Sequence, residues 1–230
     1  MQRQTITIDG IPAILWGEKS EKLYLYVHGK MANKEGAEAF AEIAQSKGYQ
    51  TLSFDLPDHG ERKERHERCD IWSGMRDLGI IGEYARTRWS MLSLFACSIG
   101  AFFSLHAYRE LPLQNCLFQS PIVNMEYLIG QMFLWSGVTP EQLRKAGEID
   151  TPVDLLSWKY YQYVLAHPTA DWAHPTSILY GSLDNLQAQP IIEEFAEHNH
   201  CKLTVAEGSE HPFMAPADLP IVTKWMETNA

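Results

Sequence analysis

Short apolar runs alternate with helical stretches along nearly the whole of this chain, and that alternation limits the folds open to it. The runs cover 22–27, 49–54, 91–95, 116–121, 177–181 and 202–208. Between them lie stretches with helical periodicity at 37–47, 71–89, 100–107, 188–198 and 221–228. Strands that read as continuous apolar runs are buried on both faces, and parallel strands need a crossover, usually a helix, between them. The opening segment, 5–16, is broken by Asp9-Gly10, a hairpin turn signal. The expectation is an α/β fold: a mostly parallel central sheet behind an opening hairpin, with helices on both faces. Functional residues are then expected at the carboxyl ends of the strands.

Residues 122–172 interrupt the alternation. The segment shows no clear strand, and the breakers Gly137, Pro140, Gly147 and Pro152 divide it. It reads as a small, mostly helical cap insertion, leaving 1–121 and 173–230 as the core, which is one large domain in a chain of 230 residues. The aromatic residues of the insertion are expected chiefly to form its own core. Trp135, Trp158 and Tyr161 are the candidates for substrate contact, toward an apolar or aromatic group.

Charge and cysteine usage exclude several classes. A formal net charge of -10 argues against nucleic acid as a partner, since binding its backbone needs clustered Lys and Arg. No apolar run is long enough to cross a bilayer, and the first residues alternate like a strand rather than forming a signal core. Cys69, Cys97, Cys116 and Cys201 are scattered, without a CxxC pair, which fits reduced thiols and neither a disulfide framework nor zinc. A cytoplasmic protein is expected, with a homo-oligomer left open. The charged loop at 58–68 reads as a solvated face.

One pentapeptide carries chemistry. Ala96-Cys97-Ser98-Ile99-Gly100 lies between the apolar run at 91–95 and the helical stretch behind it. A serine on a sharp strand-to-helix turn projects its hydroxyl above the sheet, and the residues two before and two after must be small. Ala96 and Gly100 meet that requirement. The Ile99 N–H, at a helix N-terminus, would face a developing oxyanion. Cys97 is expected to pack inward and be inert.

A serine hydroxyl needs a base, and the base needs an acid to hold its tautomer. Asp184, in Tyr180-Gly181-Ser182-Leu183-Asp184, follows one strand; His211, in Glu207-Gly208-Ser209-Glu210-His211, follows the last. Asp150, Asp154 and Asp171 are alternative acids, and His174 is an alternative base. His28-Gly29-Lys30 follows the early strand and would supply a second oxyanion donor, the Lys30 N–H, with that of Met31 as runner-up and the Lys30 ammonium left in solvent. A histidine base must be neutral to accept the serine proton, so kcat/KM is expected to rise from acid to neutral pH.

These pieces resemble the serine hydrolases of the α/β-hydrolase superfamily, in the esterase and lipase branch. The matching motifs are His28-Gly29, the Asp55-Leu56-Pro57-Asp58-His59-Gly60 loop, the pentapeptide around Ser98, Gly181-Ser182-Leu183-Asp184 and Gly208-Ser209-Glu210-His211. The insertion resembles, in location and size, the cap of monoacylglycerol lipases and of cinnamoyl or feruloyl esterases. Ala96 stands where glycine is usual, and Lys30 where such families often have an apolar residue. The resemblance implies cleavage of small or medium carboxylic esters through an acyl-enzyme, with Ser98, His211 and Asp184 as the triad and no metal or organic cofactor. The same machinery would serve a thioesterase or an amidase or peptidase. A hydrolase fold that binds a small ligand without turnover is the alternative from another class.

Overall fold

The computed structural model describes residues 1–65, 67–168 and 171–230. His66, in the charged loop, and Thr169 and Ala170, in the insertion, lie outside the described residues. Strands β1 (Arg3–Ile8) and β2 (Ile11–Trp16) form the opening antiparallel hairpin, with Asp9 and Gly10 both at positive φ in the turn. Then follow β3 (Lys22–Val27), α1 (Glu38–Ser46), β4 (Gln50–Phe54), α2 (Ile71–Arg86), β5 (Met91–Cys97), α3 (Ile99–Ala107) and β6 (Leu113–Gln119). Next come α4 (Met125–Ser136), α5 (Pro140–Ala146), β7 (Glu148–Asp150), β8 (Leu155–Ser157) and α6 (Trp158–Ala166). The chain closes with β9 (Thr176–Gly181), α7 (Gln189–His198), β10 (Lys202–Ala206) and α8 (Leu219–Asn229).

Among the described residues, eight strands make one sheet in the order β1-β2-β4-β3-β5-β6-β9-β10, parallel from β4 to β10. The two-residue period of a strand divides its side chains between the two faces. Leu23, Leu25 and Val27 of β3 face one core; Tyr24 and Tyr26 face the other. Cys116 and Phe118 of β6, and Ile178 and Tyr180 of β9, join the first core, whereas Leu117 and Leu179 join the second. Helices α2, α3 and α7 cover the first face; α1 and α8 cover the second, where Tyr26 stacks on Phe95 at 4.8 Å. A sheet covered on both faces by crossover helices is the α/β arrangement expected from the sequence.

Two expectations need correction. The segment 122–172 does contain strands: β7 and β8 pair antiparallel as a separate two-stranded sheet. The loop at 58–68 is not wholly a solvated face. Arg62 is buried, donating to Asp77 at 2.5 Å and pairing also with Glu67, and His59 is buried as well. A guanidinium loses its water only where carboxylates replace it, and the start of the loop is folded back to make that exchange. Trp172, at the end of the segment, belongs to the main core, packing on Phe118 and donating to Thr176 Oγ1 at 2.8 Å.

Candidate active site

Ser98 alone connects β5 to α3. With no other residue to make the turn, its backbone takes φ 52° and ψ -122°. A side-chain-bearing residue in that region is strained by about 1–3 kcal/mol and is held by its surroundings. Those surroundings are explicit: Ser98 N–H donates to Gln119 O at 3.1 Å, and its carbonyl accepts from Ala101 N–H at 3.0 Å and Ile122 N–H at 3.2 Å. Two residues on, Gly100 has no room for a Cβ, which would lie 2.5 Å from His28 O and 2.7 Å from Val27 O. Ala96 is fully buried between its partners Val27 and Phe118 on the adjoining strands.

The structure brings Ser98, His211 and Asp184 together. Asp184 Oδ2 lies 2.7 Å from His211 Nδ1, and His211 Nε2 lies 2.8 Å from Ser98 Oγ. A carboxylate only accepts, so Nδ1 carries the ring proton and Nε2 is free to accept from the serine hydroxyl. Asp184 is aimed by its own turn: Oδ1 accepts from Leu186 N–H at 2.8 Å and Gln187 N–H at 3.2 Å. Gln187 is itself locked, its Oε1 accepting from Val123 N–H at 3.0 Å and Asn124 N–H at 2.7 Å. The His211 loop is pinned by Ser209, which donates to Asp218 Oδ1 at 2.7 Å, and by Gln119 Nε2, which donates to Pro212 O at 3.0 Å.

The loop after β3 lies against the serine. A Cβ on Gly29 would sit 3.1 Å from Ser98 Cβ. Among the described residues, neither Ile99 N–H nor Lys30 N–H donates to a protein group. The Met31 N–H is engaged, donating to His59 Nε2 at 3.1 Å, which sets it apart from the other two. The Lys30 ammonium is not simply solvated. It pairs with Asp154, at the β7–β8 turn, while Arg68 pairs with Glu148 of β7, Nη2 to Oε2 at 2.9 Å. Both pairs tie the small sheet to loops of the main one.

The alternative acids and base are engaged elsewhere. Asp150 lies in β7, Asp154 holds Lys30, Asp171 accepts from His198 at 3.0 Å, and His174 donates from Nε2 to Arg109 O at 3.0 Å. Burial pushes the Cys97 thiol up to about 12, so it stays protonated beside Ser98. Trp158 and Tyr161 are half-buried and meet edge-on, ring centroids 5.9 Å apart, with Phe133 edge-on to Tyr161 at 5.2 Å. Trp135 is largely exposed. A cleft of about 370 Å³ where α7 faces α3 and the start of α4 includes Phe102, Met125 and Phe195 in its lining, but not Ser98, Asp184 or His211. Among the described residues, no three metal-ligating side chains converge, and no helix is long and apolar enough to cross a membrane.

Sequence reasoning passed over Gln187, Asp218 and Gln119. An Asp in a turn regularly accepts from the N–H two residues on, so the Leu186 contact could have been anticipated. The contacts of Gln187 with Val123 and Asn124, and of Gln119 with Pro212, join residues 63 or more apart in the chain and left no local mark.

His28 shapes the loop from beneath. It accepts from Leu56 N–H at Nε2, 3.0 Å, and its Nδ1 lies 2.7 Å from Gly29 O. Burial is the main cause that holds its pKa down, to about 4. Protons therefore bind the unfolded chain before the folded one, and stability falls as pH drops from about 6.5 to about 4. The full loss from this residue is on the order of 3 kcal/mol, given the depression to about 4. Thermal unfolding of the wild type should show that decline, and His28→Gln should flatten it; equal slopes for the two proteins would remove His28 as its source.

No protein-family model matches the chain, and no curated protein matches it. Solved structures do. Est1E from Butyrivibrio proteoclasticus, in a structure with ferulic acid bound, superposes with a TM-score of 0.78 at 22% identity, over 98% of this chain and 96% of that one. Alpha/beta hydrolase domain-containing protein 10 from mouse gives 0.74 at 15% identity, over 99% of this chain and 98% of that one. An esterase from Pyrococcus furiosus gives 0.69 at 16% identity, over 99% of this chain and 87% of that one. Sheet order, the strained serine turn and likeness over nearly the full length agree: this protein has the α/β-hydrolase fold.

Proposed function

We propose that this protein is a serine hydrolase of carboxylic esters. The observation that carries the reading is the hydrogen-bonded chain from Ser98 through His211 to Asp184, set on a positive-φ turn beside two unpaired backbone N–H groups. Ser98 Oγ attacks the ester carbonyl while His211 Nε2 takes its proton. The developing oxyanion is met by the N–H groups of Ile99 and Lys30. His211 then returns the proton to the leaving alcohol, and water clears the acyl-enzyme by the same base. Asp184 keeps the Nδ1–H tautomer and stabilises the imidazolium.

Residues 122–172 act in this reading as a cap over the site. Exposed apolar side chains stand beside the proposed machinery: Met31 next to Lys30, Leu183 next to Asp184, and Met214 three residues past His211. With the aromatics of the cap, Trp135, Trp158 and Tyr161 among them, they favour an apolar or aryl acyl or alcohol group. The ferulic acid bound by Est1E, an aromatic acid, is in keeping with that class. The four free cysteines fit a reducing compartment, and we assign the protein to the cytoplasm on that ground.

The test is intact-protein mass after incubation with a fluorophosphonate, followed by a panel of aryl, thio- and short aliphatic esters. One adduct on the wild type, with aryl esters turned over fastest, is expected. A folded protein that takes no adduct would defeat the reading and favour a binder without turnover. Turnover confined to thioesters or amides would keep the mechanism and replace the substrate.

A further inference from the structure

The turn after β3 holds an apolar residue in a conformation that its own side chain does nothing to secure. Met31 has φ 65° and is 93% exposed. Residues 29–32 form a turn closed by Ala32 N–H donating to Gly29 O at 3.3 Å, with Met31 at the third position. A positive φ there belongs to the type II turn, whose usual occupant is glycine or asparagine. A residue such as methionine favours type I instead, reached by turning over the peptide plane between the second and third residues, here Lys30 and Met31. Something outside the turn must oppose that flip.

His59 is placed to do so. Its Nδ1 lies 2.8 Å from Pro57 O, a group that only accepts, so the ring proton is on Nδ1 and Nε2 is a bare acceptor. That acceptor lies 3.1 Å from Met31 N. A flipped peptide would turn Lys30 O toward the Nε2 lone pair in place of an N–H. His59 is buried, its ring 5.2 Å from that of His28, which grips Leu56 N–H and Gly29 O from the same pair of loops.

We propose that His59 is a positioning residue for the oxyanion loop: by accepting from Met31 N–H, it holds the Lys30–Met31 peptide in the type II form, and so fixes the course of the backbone that carries the Lys30 N–H beside Ser98. The inference rests on the hydrolase reading above, because the loop matters only if an oxyanion forms beside Ser98. It identifies why the Asp55-to-Gly60 segment is drawn in against the site, a role separate from binding or proton transfer.

Two variants separate the acceptor from the mere presence of a side chain. In His59→Gln, the amide oxygen reaches the Nε2 position and can accept from Met31. In His59→Asn, the amide nitrogen replaces Nδ1 toward Pro57 O, but nothing reaches Met31. The expected result is a fall of roughly 10- to 100-fold in kcat for His59→Asn with KM within about twofold, and recovery to within a few-fold of wild type for His59→Gln. Equal losses in both variants, a loss carried by KM, or no loss would overturn the proposal. Thermal midpoints identify folded variants. Should His59→Asn not fold, the same contrast is read in a Met31→Gly background, where the positive φ carries no strain. There His59→Asn should cost less than about threefold in kcat relative to Met31→Gly alone, and a cost of roughly 10-fold or more would overturn the proposal. Fluorophosphonate labelling and ester turnover by the wild type test the hydrolase reading separately. A labelled, active wild type with indifferent His59 variants would defeat this inference alone.

Discussion

Ser98→Ala should leave the protein folded and lower kcat by roughly 10⁴- to 10⁶-fold. The size follows from what is removed. The Oγ is the atom that would bond to the substrate, and without it His211 has no proton to take. The fold should persist because, among the described residues, the Oγ bonds only to His211 Nε2, at 2.8 Å, while the turn itself is held by backbone contacts to Gln119, Ala101 and Ile122. Steady-state kinetics on an aryl ester, with thermal unfolding of the same preparations, checks both halves. Residual turnover within about 100-fold of wild type in a folded variant would move the nucleophile elsewhere. Asp184→Asn should follow at roughly 10⁴-fold, because an amide in that place stabilises the wrong tautomer of His211.

Asp55→Ala should produce the largest loss of stability. The Asp55 carboxylate is fully buried and accepts from Lys34 Nζ at 2.7 Å, Lys34 N–H at 2.9 Å and Glu61 N–H at 3.0 Å. Its own carbonyl accepts from Arg62 Nη1 at 3.0 Å. The Lys34 side chain is almost as buried, and burial opposes its charge. Asp55 and Glu61 outweigh that opposition and hold the ammonium protonated well above its usual range. Removing the carboxylate leaves the buried ammonium to Glu61 and Glu35, both exposed, and strands two backbone donors, a cost of roughly 3–5 kcal/mol. For a domain of this size that is a fall in Tm of roughly 6–20 °C. Differential scanning calorimetry reads it directly, and a Tm within about 2 °C of wild type would contradict it. Adding Lys34→Met should recover part of the loss, because the cation goes with its partner.

The strands of the main sheet were legible because the central ones are apolar runs buried on both faces, and because Asp9-Gly10, Gly48 and Gly208 mark turns at positive φ. Ser98, Asp184 and His211 were legible for the same reason: each sits just past a readable strand. β7 and β8 were not, since three residues apiece leave no periodicity to detect. Arg62 was misread because an arginine in a run of charges is ordinarily exposed. Its partner Asp77 lies 15 residues away on α2, a distance no local pattern spans. The Lys30–Asp154 pair, 124 residues apart in sequence, was invisible in the same way. Local chemistry specified the elements and the strand ends that hold the candidate site; the contacts that brace those ends arise only once the elements meet.

The site also has an order of assembly written into its topology. The serine turn needs only β5, α3 and their neighbours, but His211 stands 113 residues downstream, beyond the edge strand β10. β10 has one neighbour in the sheet, β9, and β9 in turn must dock on β6. Pairings this distant are slow to form, because the chain must close long loops before the contacts reward it. A partly folded chain therefore holds Ser98 Oγ without the His211 ring beside it, and the proposed triad is complete once the outermost strand has docked.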